Sequence, residues 1–488
     1  MAARHRYRAI LQNGRTIWAL SLLAAVLFGA ANLPWQLDDY DQAKQAFTSF
    51  QMVEQGQWFY QNTPRENIAT KPPLVGWISA GLFGVVHSWD WAWRLPSILS
   101  AAGLAMLLFR LSKSAFGSFA AVISAGAFCF NLLTARLASL VRTDMPLALA
   151  VFCVGAIFWR RLRLNSEVEP NDTWLLFLVL TAGMWIKGPV LWAFLVPGLV
   201  LFKLWHRRQQ TPRLPPVWPW IASFVIFAAW AGWGIRFVPG FYDEVVVREF
   251  MGRFGGETHR AQPALFYLPH LLHKFFPWSL LMIGLAAVHL RSADWKLRAA
   301  SVAPDTAWLI CWVAGGLLVM SILPSKRVDR IFPVFAPLCL LLGAQIKRSL
   351  KPVRLVESWS AAALGAALMV ACGYTGWKIV SGYRTHRAAL AEFGREVRQA
   401  GAVNGWKEAV VLTPDESLLL YLRKTRFLTP DRAIALWNQG EIDSLVVSTK
   451  NAPAITPSLN PRGVVRRHSL HREGSLAPDY LLVVQEHR

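Results

Sequence analysis

Charge is scarce in this chain, and negative charge scarcer still. Only 16% of its 488 residues are charged, and 29 acids face 51 lysines and arginines for a formal charge of +22. Soluble domains carry about 25% charged residues, so the shortage excludes an ordinary globular protein. Cysteine is also sparse: Cys129, Cys153, Cys311, Cys339 and Cys372 all fall inside apolar stretches. Without a CxxC pair or metal-ligand spacing they read as small core residues, which removes a disulfide framework and a zinc site. No internal repeat stands out, and a transporter built from inverted halves loses appeal accordingly.

Apolar length is what the chain has in excess. Hydrophobic residues make up 54% of it, with 24 tryptophans. Stretches near 16–34, 91–110, 117–135, 145–160, 173–187, 189–205, 217–238, 276–290, 305–323, 331–346 and 356–380 approach the length of a bilayer crossing. The basic start "MAARHRYRAILQNGR" is compatible with a signal peptide. Because many further spans follow, it reads better as the flank of an uncleaved first helix.

The surplus of positive charge, which in a soluble protein would suggest nucleic acid, lies largely in alternate connections. Arg110 and Lys113, "RRLR" at 160–163, "KLWHRRQQTPR" at 203–213, "RSADWKLR" at 291–298 and "KRSLKPVR" at 347–354 share a side with the amino terminus. The positive-inside bias makes that side cytoplasmic. The opposite side receives "LDDYDQAKQAF" at 37–47, "NIATKPPL", "VRTDMPL" at 141–147, "KGP" at 187–189, the loop 239–275 and "SKRVDR" at 325–330. Eleven crossings satisfy this parity with "PPLVGWISAGLFGVV" lying along the interface, and thirteen preserve it.

The expected fold is a polytopic α-helical membrane domain over residues 1–380, with external loops 35–90 and 239–275. From about Ser381 the pattern shifts to a helix at "REVRQAGAVN", strands at "EAVVLTP", "IDSLVVST" and "DYLLVVQ", and a helix from Asp415. Residues 381–488 therefore read as a small extracytoplasmic α/β domain.

Nearly every unusual polar cluster lands on the external face. Asp38, Asp39 and Asp41 precede an amphipathic segment, where an aspartate commonly serves only as a helix cap. Asp144 in "RTDMPL" has the same plain reading, with Arg142 as a neighbour to pair with. Lys71, ahead of two prolines, and Lys187, between apolar runs, are each explicable as snorkelling boundary residues. Lys326, Arg327 and Arg330 crowd one corner, and Arg253 lies in the long loop. Recurrence of cations on one face points beyond helix anchoring to a shared anionic ligand, with phosphate at a membrane surface the natural candidate. The acids at 38–41 then place a base beside a cationic cradle.

Taken in order, "DQAKQAF…EQGQW…TKPPLVGWISAGLFG…WRLPS", "RTDMPL", "KGP" and "SKR" resemble the GT-C glycosyltransferases that draw sugar from a polyprenyl phosphate. The likeness is strongest to the bacterial branch of lipid A aminoarabinose transferases, related to the protein O-mannosyltransferases. It covers roughly 15–380 and extends loosely to the carboxy-terminal domain.

The resemblance implies Asp41 as catalytic carboxylate, with Asp39 as near alternative and Asp144 as the second-loop acid. It also implies Lys71, Lys187 and Arg253 on the donor phosphate, joined by Lys326 and Arg327. The implied reaction moves sugar from an undecaprenyl-type donor to lipid A, another glycolipid or a protein, with inversion, at the outer face of a bacterial inner membrane. Three positions depart from the branch: Thr70 replaces a Glu, Phe250 a His and Gln42 a Glu. The first two are associated with a metal in that branch, so no metal or other cofactor is expected, and aminoarabinose is doubtful as the sugar. Two other readings are a lipid-linked sugar flippase or transporter, which needs polar groups near mid-membrane, and a non-enzymatic envelope scaffold.

Overall fold

A computed structural model describes residues 6–37, 40–206, 216–252, 262–291, 302–350, 355–460, 462–468 and 479–485. The chain is a multi-span helical membrane protein. Each apolar stretch expected from the sequence contains a helix. Among the described residues six helices are long and apolar enough to cross a bilayer, or seven if the bent pair Ala264–Lys274 and Trp278–Leu290 forms one span. Gly14–Ala30, Leu74–Val86, Ser118–Cys129 and Val190–Trp205 are apolar but shorter. Fewer helices thus pass on length and composition than the eleven crossings expected, in part because Gly14–Ala30, Ser118–Cys129 and Val190–Trp205 are each shorter than 18 residues.

The chain divides into two compact units that do not follow chain order. One contains residues 1–31, 70–75 and 94–376; the other contains 32–69, 76–93 and 377–488.

In the first unit, helix Asp144–Leu164 is the most enclosed of the candidate spans, with 78% of its apolar window buried. Its ends explain themselves: an acid in the first turn and Arg161 and Arg163 in the last complement the helix dipole. Asn165 in the left-handed region terminates it, and the Ser166 N–H donates to the Arg161 carbonyl at 3.1 Å. By contrast, only 17% of the corresponding window of Trp218–Phe237 is buried. Ile221, Val225, Trp233 and Phe237 are exposed there, an apolar face suited to lipid.

Helices Val190–Trp205 and Pro304–Ile322 meet backbone to backbone. A Cβ on Gly198 would lie 2.8 Å from the Trp312 Cα, and one on Gly315 would lie 2.7 Å from the Pro197 carbonyl carbon. Small residues permit that approach, which supplies packing where no water drives association. Trp308 closes the same seam, its indole N–H donating to the Gly155 carbonyl at 3.0 Å.

The second unit carries a four-stranded mixed sheet in the order β1-β2-β4-β3, with β1 Glu408–Val410, β2 Ser444–Ser448, β3 Gly463–His468 and β4 Tyr480–Gln485. β1 and β2 run parallel; β4 pairs antiparallel with both β2 and β3. Leu445, Val447 and Val483 pack with Ala433 and Trp437 of helix Pro430–Asn438. Three strands fall in segments read as strands from the sequence; β3 was not anticipated.

Helix Tyr40–Gln55 belongs to this unit and begins with Asp41 in its first turn. An amphipathic helix on the membrane surface was expected here, but its glutamines are inside: Gln42, Gln45 and Gln51 are all buried. The Gln51 carboxamide oxygen accepts the Asn62 N–H at 2.7 Å, so that side chain is spent on the unit's own backbone.

Gly315→Val should lower the melting temperature of the detergent-purified protein, at a cost of about 1–3 kcal/mol or more from forced separation of the two helices. Gly365→Ala, where nothing lies within 4 Å of the added Cβ, serves as control. Equal melting temperatures for the two variants would remove the close packing from the account.

Candidate active site

Two helix ends set the site. Helix Pro170–Lys187 stops at Gly188, whose φ of +67° is natural to glycine, and the Gly188 N–H donates to the Met184 carbonyl at 2.7 Å. This leaves Lys187 in the last turn, at the negative end of the helix dipole. Asp144 stands at the positive end of its own helix. The Lys187 Nζ donates to the Asp144 Oδ1 at 2.5 Å, with side-chain exposures of 14% and 10%.

Neither residue therefore has the plain role available to it from the sequence. Thr143, not Asp144, occupies the cap position and makes no side-chain cap bond. Lys187 turns into the protein instead of snorkelling outward. A pair so enclosed is a poor stabilising device, because desolvation offsets most of the attraction.

More cations gather on the same carboxylate. Arg142 and Lys71 both act electrostatically on Asp144 along with Lys187. Lys71 is half-buried, and Pro72 and Pro73 separate it from helix Leu74–Val86. The 140–142 backbone is fixed by Ser97, whose hydroxyl donates to the Leu140 carbonyl at 2.7 Å.

Arg142 reaches across to Asp329, Nη1 to Oδ2 at 2.5 Å. Arg327 shares that carboxylate, Nη2 to Oδ2 at 3.1 Å. Arg330 donates to the Ser325 carbonyl at 2.7 Å and hydroxyl at 3.1 Å. Buried Lys326 donates to the Gln262 carbonyl at 3.0 Å, while the Gln262 N–H donates to the Pro324 carbonyl at 3.2 Å. Segments 71, 142–144, 187 and 325–330 thus join in one polar network rich in cations.

An apolar cleft of about 630 Å³ begins where that network ends. Leu265, Leu268, Leu317, Leu318 and Ile322 line it, and Lys326 and Tyr267 share its wall. An oily groove with a buried ammonium at one side suits an amphiphile with an anionic head.

Of the residues singled out in the sequence, Lys71, Asp144, Lys187, Lys326 and Arg327 come together in the first unit. Asp41 lies in the second, half-buried at the start of its helix. Asp39 and Arg253 lie outside the described residues. Asp329 was not singled out, although its place between Arg327 and Arg330 in "SKRVDR" was the available signal. Among the described residues no three His, Cys, Asp or Glu side chains group as metal ligands, and Thr70, ahead of Lys71, offers no carboxylate.

The dolichyl-phosphate-mannose-protein mannosyltransferase family matches residues 70–235, which include Lys71, Asp144 and Lys187. The crystal structure of ArnT from Cupriavidus metallidurans bound to undecaprenyl phosphate superposes with a TM-score of 0.72, covering 96% of this chain and 98% of that one at 17% identity. The fold is ArnT-like.

In sequence, the ArnT-like chain is 28% identical over 309 residues to the undecaprenyl phosphate-alpha-4-amino-4-deoxy-L-arabinose arabinosyl transferase of Erwinia tasmaniensis, a match covering 62% of this chain. It spans only 54% of that relative's length. The enzyme of the same description from an Enterobacter species is 26% identical over 438 residues, covering 86% of this chain and 75% of its own. The expected resemblance to polyprenyl-phosphate-dependent glycosyltransferases is borne out.

A double-mutant cycle of Asp144→Asn and Lys187→Met should return a coupling of at least about 1 kcal/mol, with the double variant more stable than the single Lys187→Met. Additive losses in melting experiments would mean that the pair does not hold the site.

Proposed function

We propose that this chain is an integral-membrane glycosyltransferase that moves a sugar from a polyprenyl phosphate, undecaprenyl in length, to an acceptor in the bacterial envelope. One observation carries the reading: cationic side chains from four distant segments join in one network whose Lys326 borders an apolar cleft, an arrangement suited to a lipid phosphate. The matching family and the relatives' stated activities support the same donor class. A flippase or scaffold gains no comparable support.

In the proposed reaction Asp41 accepts the proton of the acceptor hydroxyl as that oxygen attacks the anomeric carbon. The bond between that carbon and the phosphate oxygen breaks, and its electron pair leaves with the lipid phosphate. Lys71, Lys326, Arg327 and, from the long loop, Arg253 stabilise the growing negative charge. Lys187 joins them, oriented by Asp144, which acts here as a positioning acid. Attack opposite the leaving phosphate inverts the anomeric centre.

The chemistry proceeds without a metal: the charge stabilisation comes from ammonium and guanidinium groups. Thr70 and Phe250 remove two metal-associated positions of the aminoarabinose branch, and with Gln42 they favour a different sugar. The acceptor is lipid A, another glycolipid or a protein. The amino terminus is proposed to be cytoplasmic, with the reaction and the carboxy-terminal sheet on the periplasmic side.

Purified protein should transfer radiolabelled sugar from polyprenyl-phosphate donors to an envelope extract in the presence of EDTA. Lys71→Ala should lower the rate about 10²–10³-fold, the loss typical of one charge-stabilising donor. Asp41→Asn should lower it about 10²–10⁴-fold. Full activity in both variants would contradict the residue assignments, and abolition by EDTA would contradict the metal-free chemistry.

A further inference from the structure

The second unit holds a cleft of its own, of about 610 Å³. It opens at the carboxyl ends of the parallel strands β1 and β2, where Leu412–Pro414 and Ser448–Asn451 leave the sheet. Ends of adjacent parallel strands are where α/β sheets present loops to ligands. The β1 side is extended by residue 428, whose N–H donates to the Val410 carbonyl at 2.8 Å and whose carbonyl accepts the Leu412 N–H at 2.9 Å. Phe427 and Thr429 are thereby set along the wall.

The opposite wall comes from far away in sequence. Residues 62–68 form a tight hairpin, with an Asn62–Ile68 bridge and the Thr63 N–H donating to the Asn67 carbonyl at 2.6 Å. Glu66 takes a φ of +64° at its tip. The hairpin is pinned by Arg65, whose Nε lies 2.7 Å from the buried Glu416 carboxylate. Burial raises the pKa of Glu416 and Arg65 counteracts that rise, so the pair fixes Arg65 over the cleft. The same hairpin follows helix Tyr40–Gln55, and Gln51 holds it from that side.

The lining alternates an apolar platform of Leu412, Pro414 and Phe427 with the polar groups of Arg65, Lys450 and Asn451. Charge is balanced around it, Arg65 and Lys450 against Glu66 and Glu416. A polyanion gains little from such a balance. A polyol gains both hydrogen-bond donors and acceptors for its hydroxyls, and a ring for its C–H face.

We infer that this cleft binds a saccharide and that it is where the acceptor's glycan is held. The acceptor role, though not the binding, depends on the proposed transferase activity. Exchange of the lining residues would then change acceptor choice without touching the donor site.

The test is saturation-transfer NMR on the full chain in nanodiscs free of glycosidic detergent, with cellobiose, chitobiose and gentiobiose as probes. At least one disaccharide should bind saturably. Phe427→Ala and Asn451→Ala should weaken it about fivefold or more, the loss of a ring contact or hydrogen bond. Exposed Lys450→Ala, which risks no folding defect, should weaken it as well. No saturable binding by any of the three sugars, or equal affinity in all three variants, would overturn the inference. Binding without sugar transfer would sink the transferase and leave the cleft standing; transfer without binding would do the reverse.

Discussion

A buried ion pair, Asp144 with Lys187, joins the start of one helix to the end of another. Its existence constrains everything around it. Two charges removed from water require a fixed partner geometry, and both dipole ends are turned to favour it. Once Asp144 is held, Lys71 and Arg142 are drawn into its field, and Arg142 in turn fixes Asp329 and the 325–330 corner. The site is thus a chain of electrostatic dependencies, each link set by a helix terminus or a short turn.

That chain stops at Lys326, where the polar network gives way to leucines. The juxtaposition matches the proposed substrate, which is oily at one end and charged at the other. Gly315, one side of the seam with Gly198, lies on the helix that also supplies Leu317 and Leu318 to the cleft. Rigid packing at that seam therefore defines the groove as well as the bundle.

Legibility in the sequence followed physical contrast. Apolar length exposed the helices, a cation beside an apolar run exposed Lys71 and Lys187, and crowding of cations at one corner exposed Lys326. Pairing left no such trace. Asp144 and Lys187 are 43 residues apart, and Arg142 and Asp329 are 187 apart, so only the fold reveals which acid meets which base.

Polar residues misled in two places. The amphipathic pattern after Asp41 implied a surface helix, but Gln42, Gln45 and Gln51 are buried. The strand "GVVRRH" was hidden because its basic half breaks the apolar alternation, and a register shift between Val465 and Arg467 disrupts it further. The hairpin at 62–68 and its partner Glu416 were likewise invisible, since their contact spans most of the chain.

The central claim is that the cationic network reads the phosphate of a polyprenyl lipid. Native mass spectrometry with undecaprenyl phosphate and undecaprenol, on the wild type and on Lys71→Ala and Lys326→Ala, tests it most directly. The account predicts that the phosphate is bound about tenfold or more tightly than the alcohol, a difference of roughly 1.4 kcal/mol. Both variants should shrink that preference while retaining the alcohol. Equal binding of the two lipids, or a preference untouched by either substitution, would contradict it.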